Sequence, residues 1–314
     1  MTSANDAKPL IAHALQPSLS SSNEVFLHLK RQLTAEEAER LVDALTRRCI
    51  GEPLAYITGK KEFWSLNFTV TPSTLIPRSD SEVLIETLVA LYPKQAKLRI
   101  LDIGTGSGCL LLSALSEFPS ASGVGIDIST DALLVAQLNA QMLGFSDRVE
   151  LLQFDLRELP SLASAQDSHK TTFDTLYQQF DITVCNPPYI PRNELPLVAP
   201  DVLAHEPHLA LFSDGPDAAS LSEQQQQIDS EEEDSEGLRM YRYLQHSVDH
   251  LFRHREPHKS QKRSRRSSLV VEIGSEAQAH AVRELFAGSS FLKFQKFLID
   301  GQQRHRGVLF QSED

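Results

Sequence analysis

The chain has 314 residues, 41% of them hydrophobic, and a formal net charge of −12 at pH 7. This length allows one large domain and a smaller one. The acidic excess argues against a general nucleic-acid-binding protein, because phosphate contacts require clustered Lys and Arg. Cys49, Cys109 and Cys185 lie far apart, which favours a reducing compartment and predicts neither a disulfide framework nor a metal site. No apolar run approaches the roughly 20 residues of a membrane span, and the N-terminus resembles neither a secretory signal nor a strong mitochondrial presequence.

The N-terminal part, residues 1–54, is predicted to be a small helical domain. The segment "LTAEEAERLVDALTRRC" has Thr34 as an N-cap, glutamates in the first turn and arginines in the last, as is typical of a helix. Residues 55–75 change to aromatic and β-branched content and are predicted to form strands, with a turn at residues 58–60 and a linker. The large domain is then residues 76–314.

From residue 98 onward, apolar strands alternate with helices. The predicted strands are 98–104, 123–128, 148–155, 180–186 and 268–274, and the predicted helices are 109–118, 130–144 and 275–286. Thr130 is the expected cap of the second of these helices, and Gly144 its end. This alternation predicts an α/β fold with a mainly parallel sheet covered on both faces. Residues 294–310 add two strands joined by a short polar turn, which predicts a terminal antiparallel hairpin.

Three polar segments interrupt the alternation of strands and helices. We expect them to be surface insertions, because they are poor in apolar residues. They are residues 160–179, 216–237 and 253–268. The third contains "RHREPHKSQKRSRRSS". A solvated loop and a nuclear-localisation or nucleic-acid patch are both open readings of it.

A glycine-rich turn follows the first strand of the large domain, in "LDIGTGSGCLL". Gly104, Gly106 and Gly108, with Thr105 and Ser107 between them, allow a sharp turn and close approach of the backbone to a ligand. A tight strand–helix turn needs glycine in any case, so the motif alone is a weak signal. The dinucleotide fingerprint requires a third glycine where Cys109 stands. The spacing therefore favours a ligand without a pyrophosphate.

Two acidic residues end the next two strands and extend this prediction. Asp127 is placed to accept hydrogen bonds from ribose hydroxyls, with a helix N-cap as its structural alternative. Asp155 could accept from an adenine amino group while Leu156 packs on the ring, or it could be a simple loop residue. Nucleoside binding without a pyrophosphate indicates S-adenosylmethionine as the cofactor, and methyl transfer as the reaction.

The fourth strand ends in "NPPY", which predicts the acceptor site. An amide nitrogen is a poor nucleophile because its lone pair is delocalised into the carbonyl. The side-chain oxygen of Asn186 and the carbonyl of Pro187 could grip its two N–H groups, because a proline-rich loop cannot continue the sheet. With Pro188 shaping the loop and Tyr189 stacking on the planar amide, catalysis would come mainly from positioning and electrostatics. The structural alternative is a strand-ending Pro-Pro turn capped by Asn.

Together these motifs resemble the HemK/PrmC family, the peptide chain release factor glutamine methyltransferases. The resemblance covers residues from about 6 to the C-terminus and is carried by "GEPLAYITGKKEFWSLNFTVTPSTLIPRSDSEVL", "ILDIGTGSGCLLLSAL", "GIDIS", "NPPYI", "HEPHLALFSDG" and "VVEIG". It implies a seven-stranded Rossmann-like class I methyltransferase sheet with an antiparallel last strand, and a helical domain that docks the substrate. It also implies the glutamine of the Gly-Gly-Gln motif of a class I release factor as the acceptor. By resemblance, residues 104–108, Asp127, Leu156 and Asn186 would contact the cofactor, and residues 186–189 the glutamine.

The sequence departs from the family at a few places. "PRSDSE" stands where "PRPETE" is common, and Leu156 where Trp is common, which leaves the roles of Arg78 and Glu82 open. The start resembles the second or third helix of the family's N-terminal domain, so we expect either a further upstream helix or a shortened domain. The biased insertions suggest a eukaryotic source, and the retained helical domain resembles the mitochondrial branch. Mitochondrial localisation is therefore expected, with cytoplasmic localisation as the alternative.

Two other functions are compatible with the motifs. A nucleic-acid adenine methyltransferase shares the NPPY chemistry, but it would need a basic cleft and a base-flipping recognition domain. A non-catalytic module that binds S-adenosylmethionine would be expected to have lost a glycine, Asp127 or the NPPY motif. The preferred prediction is a monomeric protein-glutamine methyltransferase that acts on a release factor and contacts neither nucleic acid nor membrane.

Overall fold

The computed structural model describes residues 4–15, 22–28, 30–162, 175–214, 234–252 and 266–313. Its N-terminal segment contains three helices: α1 (Ala4–Ala14), α2 (Ala35–Cys49) and α3 (Leu54–Thr58). Helix α2 begins with the predicted cap, because the Thr34 hydroxyl accepts the Glu37 amide at 3.2 Å and the Glu37 carboxylate accepts the Thr34 amide at 2.9 Å. Leu10, Ala44 and Ile57 pack together and join the three helices.

The prediction of strand structure from residue 55 is wrong for its first turn, which is helix α3. Tyr56 and Ile57 are buried there, and the Tyr56 hydroxyl donates to the Thr74 carbonyl at 2.7 Å. Gly59 ends the helix in the left-handed conformation, with φ of 68°. Tertiary packing of these side chains therefore outweighs their strand propensity. The predicted hairpin follows, with β1 (Lys60–Phe63) antiparallel to β2 (Leu66–Thr69).

The large domain is built on a seven-stranded sheet with the order β5-β4-β3-β6-β7-β9-β8. The strands are β3 (Arg99–Ile103), β4 (Ser122–Asp127), β5 (Val149–Gln153), β6 (Ile182–Cys185), β7 (Ser268–Glu272), β8 (Leu292–Ile299) and β9 (His305–Ser312). Strands β3 to β7 pair in parallel, whereas β9 is antiparallel to both β7 and β8. The predicted antiparallel terminal hairpin is confirmed. The last strand, β9, lies between β7 and β8, so that β8 forms the edge of the sheet.

Helices cover both faces of this sheet. They are α4 (Glu82–Leu91), α5 (Cys109–Glu117), α6 (Thr130–Met142), α7 (Leu159–Leu162), α8 (Pro200–His205), α9 (Arg239–Leu251) and α10 (Glu276–Leu285). Short 3-10 helices are Ser22–His28, Ser79–Ser81, Ser146–Arg148, Leu156–Glu158, Arg192–Leu197 and His208–Ala210. Helices α4 and α5 share one apolar core with the sheet, and α9 and α10 share the other. The carboxyl ends of β3, β4, β6 and β7 therefore meet at one edge, where the predicted site residues lie.

Two local predictions need correction. Ser129, not Thr130, caps α6, because its hydroxyl accepts the Ala132 amide at 3.2 Å. The predicted insertions are also too long. Leu176 is fully buried, Asp234 accepts the Leu238 amide at 2.7 Å at the start of α9, and Ser268 begins β7. The remainder of these insertions, 163–174, 216–233 and 253–265, lies outside the described residues.

Candidate functional site

The glycine turn lies between β3 and α5 and has the conformation that glycine permits. Gly104, Gly106 and Gly108 have φ angles of 71°, 54° and 80°, in the left-handed region that residues with a Cβ rarely adopt. The amides of Gly104 and Thr105 both donate to the Ile126 carbonyl at 2.9 Å. These bonds hold the turn against β4.

The three glycines have different surroundings. A Cβ at Gly106 would meet only the Gly104 carbonyl, at 4.0 Å, so the turn is open on that side. A Cβ at Gly108 would lie 3.2 Å from Leu112 Cδ1 and 3.4 Å from Ala136 Cβ. Gly108, predicted to contact the cofactor, is absent from the wall of the neighbouring cavity. It allows close packing of α5 against α6.

Asp127, at the end of β4, holds the glycine turn directly. Its Oδ2 accepts the Gly106 amide at 2.8 Å, and its Oδ1 accepts the Ser129 amide at 2.9 Å. Burial raises the pKa of this carboxyl, while these amide bonds oppose the shift. Each oxygen keeps a further lone pair for a ligand hydroxyl. Since Ser129 caps α6 itself, the N-cap alternative does not account for Asp127.

A cavity of about 280 Å³, here called the glycine-turn cavity, opens beside this turn. This is close to the lower limit of small-molecule sites, about 300 Å³. The predicted site residues on its wall are Gly104, Thr105, Gly106, Ser107, Asp127, Asp155, Leu156, Asn186, Pro187 and Pro188. The sheet topology therefore brings together residues that are up to 84 positions apart in sequence, from Gly104 to Pro188.

The wall that was predicted to hold an adenine ring differs in detail. Leu156 lines the cavity as expected, and Phe154, which the sequence reasoning missed, adds a largely buried aromatic wall. Asp155 also lines the cavity, but its carboxylate is engaged by the buried Arg157, with Nη2–Oδ2 at 2.7 Å and the main-chain amide to Oδ1 at 2.9 Å. Both Asp155 oxygens therefore already have donors, and each keeps a further lone pair, as at Asp127. The structural role and the contact with an adenine amino group stay open alternatives, while Phe154 and Leu156 supply the apolar wall for the ring.

Asn186 lies where the glycine-turn cavity meets a second cavity of about 380 Å³, here called the Tyr189 cavity. The two also share Leu75, Arg78 and Ala210. Among the described residues, neither the Asn186 amide nor the Pro187 carbonyl takes part in a hydrogen bond. Both predicted acceptors of N–H groups are therefore unoccupied, Asn186 at the junction and Pro187 on the wall of the glycine-turn cavity.

Tyr189 lies on the far side of this junction, in the wall of the Tyr189 cavity only. Its ring packs on Gly274, since a Cβ there would lie 2.8 Å from Cδ2 and Cε2. Its carbonyl accepts from Gln278 Nε2 at 3.1 Å. Gly274, just after β7, thus fixes the ring, and Gln278 of α10 fixes the main chain. Burial raises the pKa of the Tyr189 hydroxyl.

Arg78 and Glu206 form a contact that sequence reasoning missed. Arg78 Nη2 is 2.6 Å from Glu206 Oε1, and the Ile76 amide donates to Glu206 Oε2 at 3.0 Å. The side chain of Glu206 is 1% exposed. This pair fixes the segment that bears Leu75 and Arg78 over both cavities. The motifs "IPR" and "HEP" are visible in the sequence, but their contact over 128 positions is not.

Two further acids are buried near the cavities. Burial raises the pKa of Asp102 to about 7, although its Oδ2 accepts the Thr105 hydroxyl at 2.7 Å. Burial also raises the pKa of Glu272 to about 7, opposed by the neighbouring Ser81 hydroxyl and by Arg306. Asp102 Oδ1 and Glu272 Oε2 are buried and without a hydrogen-bond partner in the described part of the chain. Sequence reasoning had assigned neither residue a role.

The glycine-turn cavity fits a cationic nucleoside such as S-adenosylmethionine. It offers an open glycine turn, the Asp127 carboxylate for a ribose, and apolar walls from Phe154 and Leu156. Asp102 places a second carboxyl behind the turn. The described residues contain no cluster of His, Cys, Asp and Glu that could hold a metal ion. A membrane-spanning helix is likewise not found in that part of the chain.

Comparison with known proteins identifies the family. Residues 94–245 match a family described as a methyltransferase domain, and residues 2–59 match the PrmC N-terminal domain. The chain is similar to proteins named release factor glutamine methyltransferase. The one from Bradyrhizobium diazoefficiens is 40% identical over 218 residues, which is 68% of this chain and 67% of that protein. The one from Moorella thermoacetica is 36% identical over 282 residues, which is 90% and 82%.

A third relative with the same name, from Koribacter versatilis, is 40% identical over 188 residues, which is 60% of this chain and 61% of that protein. The match thus spans less than two thirds of this relative's length. The seven-stranded sheet with its antiparallel last strand is the predicted fold of class I S-adenosylmethionine-dependent methyltransferases. The chain belongs to the release factor glutamine methyltransferase family.

Proposed function

We propose that this protein transfers a methyl group from S-adenosylmethionine to the side-chain amide nitrogen of the glutamine in the Gly-Gly-Gln motif of a class I peptide chain release factor. The observation that carries the proposal is the position of Asn186, on the walls of both cavities. A methyl donor in the glycine-turn cavity and an acceptor in the Tyr189 cavity would meet at this residue. Relatives 36% and 40% identical to this chain are named release factor glutamine methyltransferase.

The cofactor, when bound, supplies a methyl group on a positively charged sulfur. The protein holds the acceptor: Asn186 Oδ1 and the Pro187 carbonyl each accept one N–H of the glutamine amide. This grip favours a pyramidal nitrogen, whose lone pair is then less delocalised. Tyr189, fixed against Gly274, bounds the acceptor on one side. Positioning and electrostatic complementarity supply the rate enhancement.

The test is a methyl-transfer assay with tritiated S-adenosylmethionine and three acceptors. These are a release-factor domain, the same domain with alanine for the motif glutamine, and an adenine-containing duplex. We expect label only in the first. Label in the duplex would support the adenine methyltransferase instead, and binding of the cofactor without any transfer would support a non-catalytic module.

Asn186→Ala tests the clamp in the same assay. Since it removes one of two acceptors, kcat should fall about 100-fold or more, as for loss of one oxyanion-hole donor. Asn67→Ala is the matched control, because Asn67 is exposed on β2, away from both cavities. Near-normal kcat in Asn186→Ala would remove the clamp from the mechanism.

We also propose that the protein belongs to a eukaryotic, mitochondrial branch of the family, methylates a mitochondrial release factor and so acts in translation termination. The compositionally biased insertions and the retained N-terminal helical domain support this proposal. Fractionation of cells that express the tagged protein should place it in mitochondria. Exclusive recovery from the cytosol would contradict the proposal. Sedimentation should show a monomer that binds neither nucleic acid nor vesicles.

A further inference from the structure

The Tyr189 cavity extends beyond the acceptor position. Its volume of about 380 Å³ exceeds the 280 Å³ of the glycine-turn cavity, although a single glutamine side chain is much smaller than a nucleoside. The additional wall comes from the segment after Tyr189. It consists of Ile190, Pro191, Glu194, Leu197, Val198 and Val202. The cavity therefore has room for substrate residues that flank the acceptor.

The charged residues of this cavity are almost all acidic. Glu194 and Glu236 are exposed on its wall, and no ion pair to either is found within the described residues. Arg78 is the cation on the wall, and its guanidinium is already paired with Glu206 at 2.6 Å. The described wall thus presents uncompensated negative charge.

Glu272 adds an unsatisfied acceptor inside the cavity. The residue is 4% exposed, and its Oε2 has no hydrogen-bond partner in the described structure. Its main chain is fixed, because the Tyr241 hydroxyl donates to the Glu272 carbonyl at 2.6 Å. The nearby Arg306 is engaged by Asp80, at 2.7 Å, and by Asp300. A buried acceptor without a donor is unfavourable, and a ligand with N–H groups would satisfy it.

A further polar side chain on this wall, Gln278, is already occupied. The Gln278 side chain accepts the Gly274 amide at 2.8 Å and donates to the carbonyls of Tyr189 and Glu236, at 3.1 and 3.0 Å. It therefore supports the cavity and offers little to a ligand. The acidic groups available on this wall are Glu194 and Glu236, whose charge is exposed, and Glu272 Oε2, which lacks a donor. A peptide that supplies N–H donors and positive charge would complement these groups.

We propose that the Tyr189 cavity binds the substrate segment next to the acceptor glutamine, and that Glu194 and Glu236 select a basic side chain in that segment. This rests on the proposed function, which places the acceptor at Asn186. Exposed charge pairs contribute modestly to affinity and more to association rate, and salt screens both effects. The preference for a basic peptide should therefore be measurable at low ionic strength and decline with added salt.

The experiment compares two peptides that contain Gly-Gly-Gln, one flanked by arginine and one with citrulline at the same positions. For the wild type at low salt we expect kcat/KM to be about 3- to 20-fold higher for the arginine peptide than for the citrulline peptide, because its KM is lower. In the double variant Glu194→Gln/Glu236→Gln the ratio should fall to about one, through a higher KM for the arginine peptide. The double variant Glu62→Gln/Glu86→Gln is the control, because it removes two exposed carboxylates outside the cavity wall.

The outcomes separate this proposal from the proposed function. Methylation of both peptides by the wild type without preference, or a preference that survives in Glu194→Gln/Glu236→Gln, would overturn the basic-segment proposal and leave the methyltransferase function intact. Absence of methylation of any glutamine acceptor would refute the proposed function instead. In that case the two peptides, labelled with a fluorophore, can still be compared by anisotropy, which measures their binding. The selection proposal requires that the arginine peptide binds more tightly and that this difference disappears in Glu194→Gln/Glu236→Gln.

Discussion

Asp127→Asn tests the most constrained residue of the cofactor site. The wild-type carboxylate accepts the Gly106 amide at 2.8 Å and the Ser129 amide at 2.9 Å, and Asp127 lines the glycine-turn cavity. Asparagine keeps one oxygen but presents an NH₂ group in place of the other. One hydrogen bond to a charged group is therefore lost, as is one acceptor for a ribose hydroxyl.

The loss should appear mainly in affinity. A hydrogen bond to a charged group contributes about 1.5–3 kcal/mol, so the Kd for S-adenosylmethionine should rise about 10- to 150-fold. Stability should change less, because burial disfavours the charged form of Asp127 and raises its pKa. A neutral asparagine avoids that desolvation cost, which offsets part of the lost amide bond.

Calorimetric titration of S-adenosylmethionine gives the Kd, and thermal unfolding gives the Tm. Asp131→Asn is the control, because Asp131 borders the same cavity but is exposed. Its Kd should change less than about threefold, since exposed charges contribute little. An unchanged Kd in Asp127→Asn together with a lower Tm would refute the ribose role and leave Asp127 as a residue that only fixes the turn.

Three further predictions follow from buried groups and segment borders. Because burial raises the pKa of Asp102 from 3.8 to about 7, the folded protein binds this proton more tightly than the unfolded chain, and stability should fall as pH rises between these values. In urea unfolding at pH 8, Asp102→Asn should therefore be more stable than the wild type, by on the order of 2–4 kcal/mol. At pH 4 the two proteins should differ little, and equal stability at pH 8 would contradict the prediction. Arg78→Ala should destabilise the protein by about 3–5 kcal/mol, because it leaves the buried carboxylate of Glu206 without its ion-pair partner. Glu206→Gln should cost only about 1 kcal/mol, because it removes the buried charge itself. If denaturant unfolding shows Glu206→Gln to be the less stable variant, the buried charge of Glu206 is not the cause of the destabilisation. Replacement of residues 216–232 or 253–265 by short Gly-Ser linkers should keep the Tm within a few degrees and preserve methyl transfer. The reason is that neither segment has the apolar content to offset its ordering cost, roughly 1–2 kcal/mol per residue. If the basic segment instead steers a partner, its replacement would cause a salt-dependent loss of kcat/KM, and loss of folding would contradict both ideas.

Much of the fold is predictable because each strand and helix has a local signal. The buried strands β3, β4 and β6 are short apolar runs that end at Gly104, Asp127 and Asn186. In a parallel sheet these ends meet at one edge. The sequence therefore predicts that Gly104, Asp127 and Asn186 converge on one cavity, although Phe154 on its wall was missed and Gly108 is absent from it.

The missed features depend on contacts between distant residues. Arg78 pairs with Glu206 over 128 positions, and the position of Glu272 in the Tyr189 cavity depends on the order of β6 and β7. Asp155 was predicted either to accept from an adenine amino group or to be a simple loop residue. The structure adds its contact with Arg157, two positions away, which the sequence pattern did not indicate. A charge pattern alone does not tell whether an acid faces a ligand or its own neighbour.

The borders of the polar segments show why composition is a poor guide at this scale. Composition averages over a window, so a single anchoring residue in a polar run does not change the average. Asp234 is such a residue: its carboxylate accepts the amides of Leu238 and Arg239 at 2.7 and 3.1 Å, and the Ser213 hydroxyl at 2.5 Å. Its loss should cost about 0.5–2 kcal/mol, as for an N-cap. A linker replacement that extends to residue 237 removes this anchor and Glu236 together. It should therefore lower both the Tm and the preference for a basic substrate, whereas a replacement that ends at residue 232 should change neither.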